Sequence, residues 1–370
     1  MLFPHGDKSA ESMRKFPQFT MALCCIYCMY VTITKSQIIL KTRLFKPFLL
    51  FSILGLLYVC YPLRDFSFFY NNVLYFLKSF MAIYFMFVVY LYLLKDYNKT
   101  KNYIYMIYGL QIIYAFHKLY TDRLIFLSSE HEVFDSNAGF ILICLLPMSL
   151  IIPLRRLRIY LCAIIVLGCI YSGQRSAALA ATLCFPLCIA YLKGCIKRMD
   201  ILIFVLAFVF VAKPILQDAI TNIEMRNSLD IQKDNFGSGR SEFWADVWNA
   251  FWNGNIFQIL FGHGANSVPE LLVVKYGISI WSHNGWLDAL YMYGFVGFVI
   301  YGCIVLRLYQ YNRKISHTLK NYKNIFLIIF LLFMVKSTTS HGNWDISVMP
   351  LVIAIAIVMV DYKKCSLSLQ

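Results

Sequence analysis

Apolar runs follow one another along the whole 370-residue chain, separated by short polar connections. Crossing a hydrocarbon core of about 30 Å takes roughly twenty residues of helix. Backbone amides inside that core have no water to bond, so they must be satisfied within helices or closed barrels. Uninterrupted apolar runs, rather than alternating ones, point to helices. The expected fold class is therefore all-α: a polytopic membrane helical bundle.

By hydropathy and length the expected spans are 19–33, 47–61, 73–94, 103–116, 138–152, 159–171, 177–192, 201–211, 285–306, 325–335 and 346–360, about eleven to twelve helices in all. Several are shorter than about twenty residues, so their ends must continue into the flanking connections. The run from Phe19 has no small-residue cleavage site after it and is read as a first span, not a signal peptide.

Charge gives the bundle two sides. The net charge is +15, with 34 Lys and Arg against 19 Asp and Glu, although only 14% of residues are charged. In a water-soluble domain that balance would point to nucleic acid. In a membrane chain it has another cause, because Lys and Arg collect in cytoplasmic connections. Every second connection here is basic: Lys35 to Lys46, Lys95 to Lys101, Arg155 to Arg158, Lys193 to Arg198, Arg307 to Lys323, and Lys363 with Lys364. Those are assigned to the cytoplasm, the alternate ones to the outside, and no nucleic acid is expected as partner. This parity leaves the N-terminus outside, which sits awkwardly with Arg14 and Lys15.

The alternate connections include one long hydrophilic stretch, 218–283, so the expected organisation is 1–217 as an N-terminal transmembrane bundle, 218–283 as a large extracytoplasmic loop, and 284–370 as C-terminal transmembrane helices. From Arg240 onward, Phe243, Trp244, Val247, Trp248, Phe251 and Trp252 recur at helical spacing. That pattern predicts an amphipathic helix, lying at the lipid boundary or packed on the tops of other spans. The 12 cysteines fall mostly inside apolar runs, where they act as small hydrophobes. Cys25 and Cys28 have CxxC spacing but no nearby histidine, so neither metal nor redox chemistry is expected of them.

Four short outward motifs carry residues able to do chemistry. Arg175, in Ser172-Gly173-Gln174-Arg175-Ser176, is held at the bilayer surface by a tight connection. An Arg there is costly unless paired, and it either snorkels to headgroups or meets a phosphate, which its planar fork matches. Arg240 follows Gly237-Ser238-Gly239 at the start of the aromatic helix, where free N–H groups favour anions. His263 lies in the turn Phe261-Gly262-His263-Gly264, as a ligand contact or a plain turn residue. His283 opens His283-Asn284-Gly285-Trp286-Leu287-Asp288. With a pKa near 6.5 it can accept a proton from a sugar hydroxyl, or it can simply cap the next span. Lys78, inside the third span, reaches a phosphate or snorkels, and His341, near Lys336, is a second candidate base.

In this order the motifs, ending with Tyr293-Gly294, resemble the O-antigen polymerase/ligase superfamily of bacterial envelope enzymes across roughly residues 137–302. The resemblance implies a glycosyltransferase of the bacterial cytoplasmic membrane, working at its outer face on an undecaprenyl-diphosphate-linked oligosaccharide. It implies no cofactor and no metal. Arg175 and Arg240 are expected to hold the diphosphate, and His283 to assist the acceptor hydroxyl. Lys78, Arg226, His263 and His341 are further substrate-binding candidates, Arg226 because it and Gly237 reproduce an Arg-x10-Gly spacing described in polymerases. Partners implied are membrane lipids and, as a candidate, a chain-length regulator protein. Polymerisation of repeat units is the expected reaction, with ligation to lipid A–core as the alternative. A lipid-linked glycan flippase would show internal repeats and short loops on both sides, and the sequence shows neither.

Overall fold

The computed structural model describes residues 8–60, 66–128, 134, 136–192, 240–277, 279–319, 322–339 and 346–368. The expected span 201–211, Arg226, Gly237 to Gly239 and His341 lie outside the described residues. Regular structure among the described residues is helical throughout. The first part comprises α1 (Lys8–Thr34), α2 (Ser36–Leu40), α3 (Phe45–Leu57), α4 (Phe66–Lys95), α5 (Tyr97–Leu127), α6 (Ala138–Ile151), α7 (Arg155–Tyr171) and α8 (Arg175–Leu192). Three short helices follow, α9 (Arg240–Trp252), α10 (Ile256–Phe261) and α11 (Ser267–Tyr276). The chain closes with α12 (Gly285–Thr318), α13 (Lys323–Thr339) and α14 (Met349–Ser368).

Among the described residues, Phe69–Lys95, Arg175–Leu192 and Gly285–Thr318 are long and apolar enough to cross a membrane. Shorter apolar helices are Ala22–Thr34, Phe45–Cys60, Ala138–Ile151 and Asn324–Thr339. A helix that is apolar on every side belongs in a core. α14 is that helix here: Leu351 to Val360 are all buried, packed along α4 and α6. α13 packs against α8 and α12.

Contacts define two ends of the bundle. At one, Arg158 Nη1 donates to the Tyr191 hydroxyl at 3.1 Å, the Tyr322 hydroxyl donates to Asp361 at 2.6 Å, and Lys364 Nζ sits 3.6 Å from the Tyr97 ring centroid. Asn324, beginning α13, donates to the Leu187 carbonyl near the end of α8 at 3.5 Å. Among the described residues, Arg158, Lys364 and the starts of α5 and α13, all in or beside connections read as basic from sequence, therefore gather at this end. At the other lie the end of α5, the turn between α7 and α8, and the starts of α9 and α12.

Two elements depart from expectation. The fourth span, expected to stop at 116, continues as helix to Leu127. Two of its charges are paired where they stand: Lys118 pairs with Asp122 at 3.1 Å, and Asp122 accepts the Ser136 hydroxyl at 2.5 Å. Paired side chains one turn apart support a helix, so a charged stretch need not end one. The aromatic face of α9 is divided. Val247 and Phe251 are buried, with Phe251 edge-on to Phe295 of α12 at 5.7 Å, while Trp244, Trp248 and Trp252 stay exposed at 37%, 47% and 48%. The buried row fits a helix packed on other helices, and the exposed tryptophans leave the second row open on the surface.

Candidate functional site

The turn between α7 and α8 is three residues long, Ser172 to Gln174. Gln174 Nε2 donates to Asn137 Oδ1 at 3.0 Å, and the Ser136 N–H donates to the Ser172 carbonyl at 2.8 Å. These bonds fix the turn to the start of α6 and set Arg175, half-buried, as the first residue of α8. The N–H groups of a helix's first turn have no partners within the helix and favour an anion. Close by, the Arg123 guanidinium lies 5.1, 5.0 and 5.5 Å from the rings of Phe126, Phe134 and Tyr171. The sequence reading passed over Arg123. Its signal was the helical spacing of Lys118, Asp122 and Phe126 within a segment taken for a loop.

Arg240 begins α9 in the same relation to its helix. Its Nη1 donates to the Thr339 carbonyl at the end of α13, at 3.4 Å. One turn on, the Trp244 indole N–H donates to the Ser282 carbonyl at 2.7 Å. This second bond draws α9 onto the segment before α12 and brings Arg240 within electrostatic reach of His283. Burial first, and then the positive charge of Arg240, hold the His283 imidazole below its ordinary 6.5. A histidine kept neutral near pH 7 can accept a proton. Its backbone is left-handed (φ 58°), uncommon for a residue with a side chain. Asn284 then caps α12, its Oδ1 accepting from the N–H groups of Trp286 and Leu287 at 3.1 and 3.2 Å.

The Phe261 to Gly264 turn has a structural occupation. α12 is broken at Gly294 (φ 65°, ψ −165°), which leaves carbonyls of its first turns without helical partners. The N–H groups of His263 and Gly264 supply them, donating to Tyr291 and Met292 at 3.0 Å each. The His263 ring stacks on Tyr291 with centroids 4.1 Å apart, and Nδ1 lies 3.3 Å from the Tyr291 carbonyl. Burial, opposed by that carbonyl, lowers its pKa.

Arg240 and His283 are thus brought together. Arg175 shares their end of the bundle: α8 and α13 run antiparallel, as the Asn324 to Leu187 bond requires, so the start of α8 lies at the end of α13 that Arg240 touches. Lys78 lies exposed on α4, beside Ser79. Among the described residues no three His, Cys, Asp or Glu side chains form a metal-ligating group.

Residues 160–302, less than half of the chain, match the family model described as O-antigen ligase. The match spans Arg175, Arg240, His263 and His283. No curated protein and no solved structure matches the chain.

Proposed function

Since residues 160–302 belong to the O-antigen polymerase/ligase family, we propose that the protein is an integral-membrane glycosyltransferase that joins undecaprenyl-diphosphate-linked oligosaccharide repeat units at the outer face of the bacterial cytoplasmic membrane. The observation that carries the reading is the meeting of Arg240 and His283 at the end of the bundle where α8 also begins. Transfer of a glycan from a diphosphate requires positive charge where the leaving group forms and a base where the acceptor loses its proton.

In the proposed reaction, an acceptor hydroxyl attacks the anomeric carbon of the donor in a single displacement. The new bond is the glycosidic C–O bond. The bond from the anomeric carbon to the diphosphate oxygen breaks, and undecaprenyl diphosphate leaves with the electron pair. Arg175 and Arg240 carry its charge, each aided by helix N–H groups. The acceptor's proton passes to His283. The guanidinium groups remain charged at any relevant pH, so the leaving group is neutralised without a metal. Lys78, Arg226 and His341 are proposed as outlying contacts to the glycan or its carrier, and His263 as a residue that shapes the floor of the site. Residues 218–283 form the extracytoplasmic loop, and a chain-length regulator is a proposed partner.

The family description favours a second reading, ligation of the finished chain to lipid A–core. The test uses a strain lacking the chromosomal copy, complemented with Arg175→Ala or Arg240→Ala. Loss of the polymer ladder is expected, and normal ladders from both variants would refute the diphosphate role. Lipid analysis of the deletion strain separates the two reactions. Core-linked single repeats mean polymerase, whereas full chains stranded on the carrier mean ligase.

A further inference from the structure

Asp288 is an acid without an assigned task. It sits in the first turn of α12 and is fully buried. One carboxyl oxygen accepts the Ser282 hydroxyl at 2.5 Å. The other, Oδ2, has no partner among the described residues. The carboxyl lines a narrow cleft, with room for about one water molecule, together with Tyr75, Ser79, Tyr293 and Tyr301. Burying a carboxylate with so few donors is costly, and an apolar residue of similar size would pack there at lower cost. A stability role does not explain it.

Ser282 explains it better. Its hydroxyl is used three ways: it donates to Asp288, lies 3.3 Å from the Asn284 carbonyl, and accepts the Asn284 N–H at 3.2 Å. These contacts bracket His283 and hold it left-handed. The carbonyl of the same serine receives the Trp244 indole, which anchors the helix that begins with Arg240. One residue therefore ties the base and the cation to one point, and that point is fastened to the bundle by Asp288.

We propose that Asp288 is a positioning residue for glycosyl transfer, acting through Ser282 to keep His283 and Arg240 in register. This rests on the reading of those two residues given above. Charged groups on the surrounding elements are Lys78 on α4, Arg240, Glu242 and Asp246 on α9, Glu270 and Lys275 on α11, Lys336 on α13 and Asp288 itself. Among the described residues, Arg240 is the charge that shifts His283. Register can therefore be read as the protonation of His283.

The experiment measures the rate at which diethyl pyrocarbonate modifies His283 against pH, by peptide mass spectrometry on the purified full chain, together with kcat and KM for transfer. Of the two forms of imidazole, the reagent attacks the neutral one. In the wild type the midpoint falls below 6.5. Asp288→Ala and Trp244→Phe raise it toward 6.5 and lower kcat at least tenfold with KM within twofold. Asp288→Asn, which keeps an acceptor for Ser282, stays close to wild type in both. Trp244→Phe lies outside the membrane and removes one N–H, so it keeps the test open if Asp288→Ala fails to fold. An unmoved midpoint in Trp244→Phe and in folded Asp288→Ala, or a loss in Asp288→Asn equal to that in Asp288→Ala, overturns the positioning role. A midpoint that moves while transfer is untouched upholds the tether and overturns the catalytic reading of His283.

Discussion

Gly262 and Gly294 face each other where α10 crosses the break in α12. A Cβ on Gly262 would stand 2.3 Å from the Met292 carbonyl oxygen, and one on Gly294 would stand 2.4 Å from that of Leu260. Both have positive φ, 81° and 65°. The two backbones approach this closely because neither residue has a side chain, and the approach lets the N–H groups of His263 and Gly264 reach the carbonyls that the break exposes.

Alanine at either position should therefore be costly twice over, through left-handed strain and through collision with backbone. Strain alone is worth about 1–3 kcal/mol. Thermal unfolding in detergent should show a clear loss for Gly262→Ala and Gly294→Ala. Gly109→Ala, inside α5 with nothing within 4 Å of a new Cβ, should instead gain about 0.5–1 kcal/mol. Equal midpoints for all three would mean that the crossing is not as close as described.

In the proposed reaction, removing the Arg240 guanidinium takes away charge at the leaving group, together with the bond to Thr339. Loss of one preorganised donor of this kind costs about 10²–10³ in kcat. Arg240→Ala should fall within that range when transfer is followed with purified protein and lipid-linked repeat unit. Arg240→Lys should recover part of it, because an ammonium keeps the charge but loses the planar fork.

In the proposed reaction, His283 supplies a pH dependence whose sign is fixed. Burial and Arg240 lower its pKa, so transfer should hold through pH 6.5 and fall only as the pH drops through the lower, folded value. Below 6.5 the unfolded chain binds the proton first, so the stability contributed by the neutral imidazole is also lost as pH falls through that window. His283→Gln should abolish both the acid limb of the rate profile and this part of the acid sensitivity. Transfer by that variant should be about 10²–10⁴ slower. An acid limb unchanged in the variant would assign it to another group.

The proposed sidedness is testable at the two ends of the bundle. Alkaline phosphatase, active only outside the cytoplasm, should be active when fused after Gly277 and silent when fused after Leu319. The reverse pattern would put Arg175 and Arg240 on the cytosolic side and end the proposed reaction.

Some of this was legible in the residues. Apolar runs gave the helices, because burial of backbone in lipid leaves helix as the available answer at that length. The helix from Arg240 and the turn at Ser172 were read from local spacing. Other features were hidden by the same locality. Nothing near Gly294 announces a broken helix, since its carbonyls are repaired by residues about thirty positions earlier. Lys118 to Leu127 has the composition of a loop, because the partners of its charges do not show in composition.

Period and hydropathy are properties of neighbouring residues, so the sequence by itself determined the helical class, the alternation of basic connections and the order of the motifs. Which charges meet was decided by tertiary structure alone. Arg240 reaches His283 because an indole 38 residues away binds Ser282, and Asp288 is buried because α12 turns its first residues into the bundle. Such contacts depend on how helices pack in three dimensions, and no pattern along the chain encodes them.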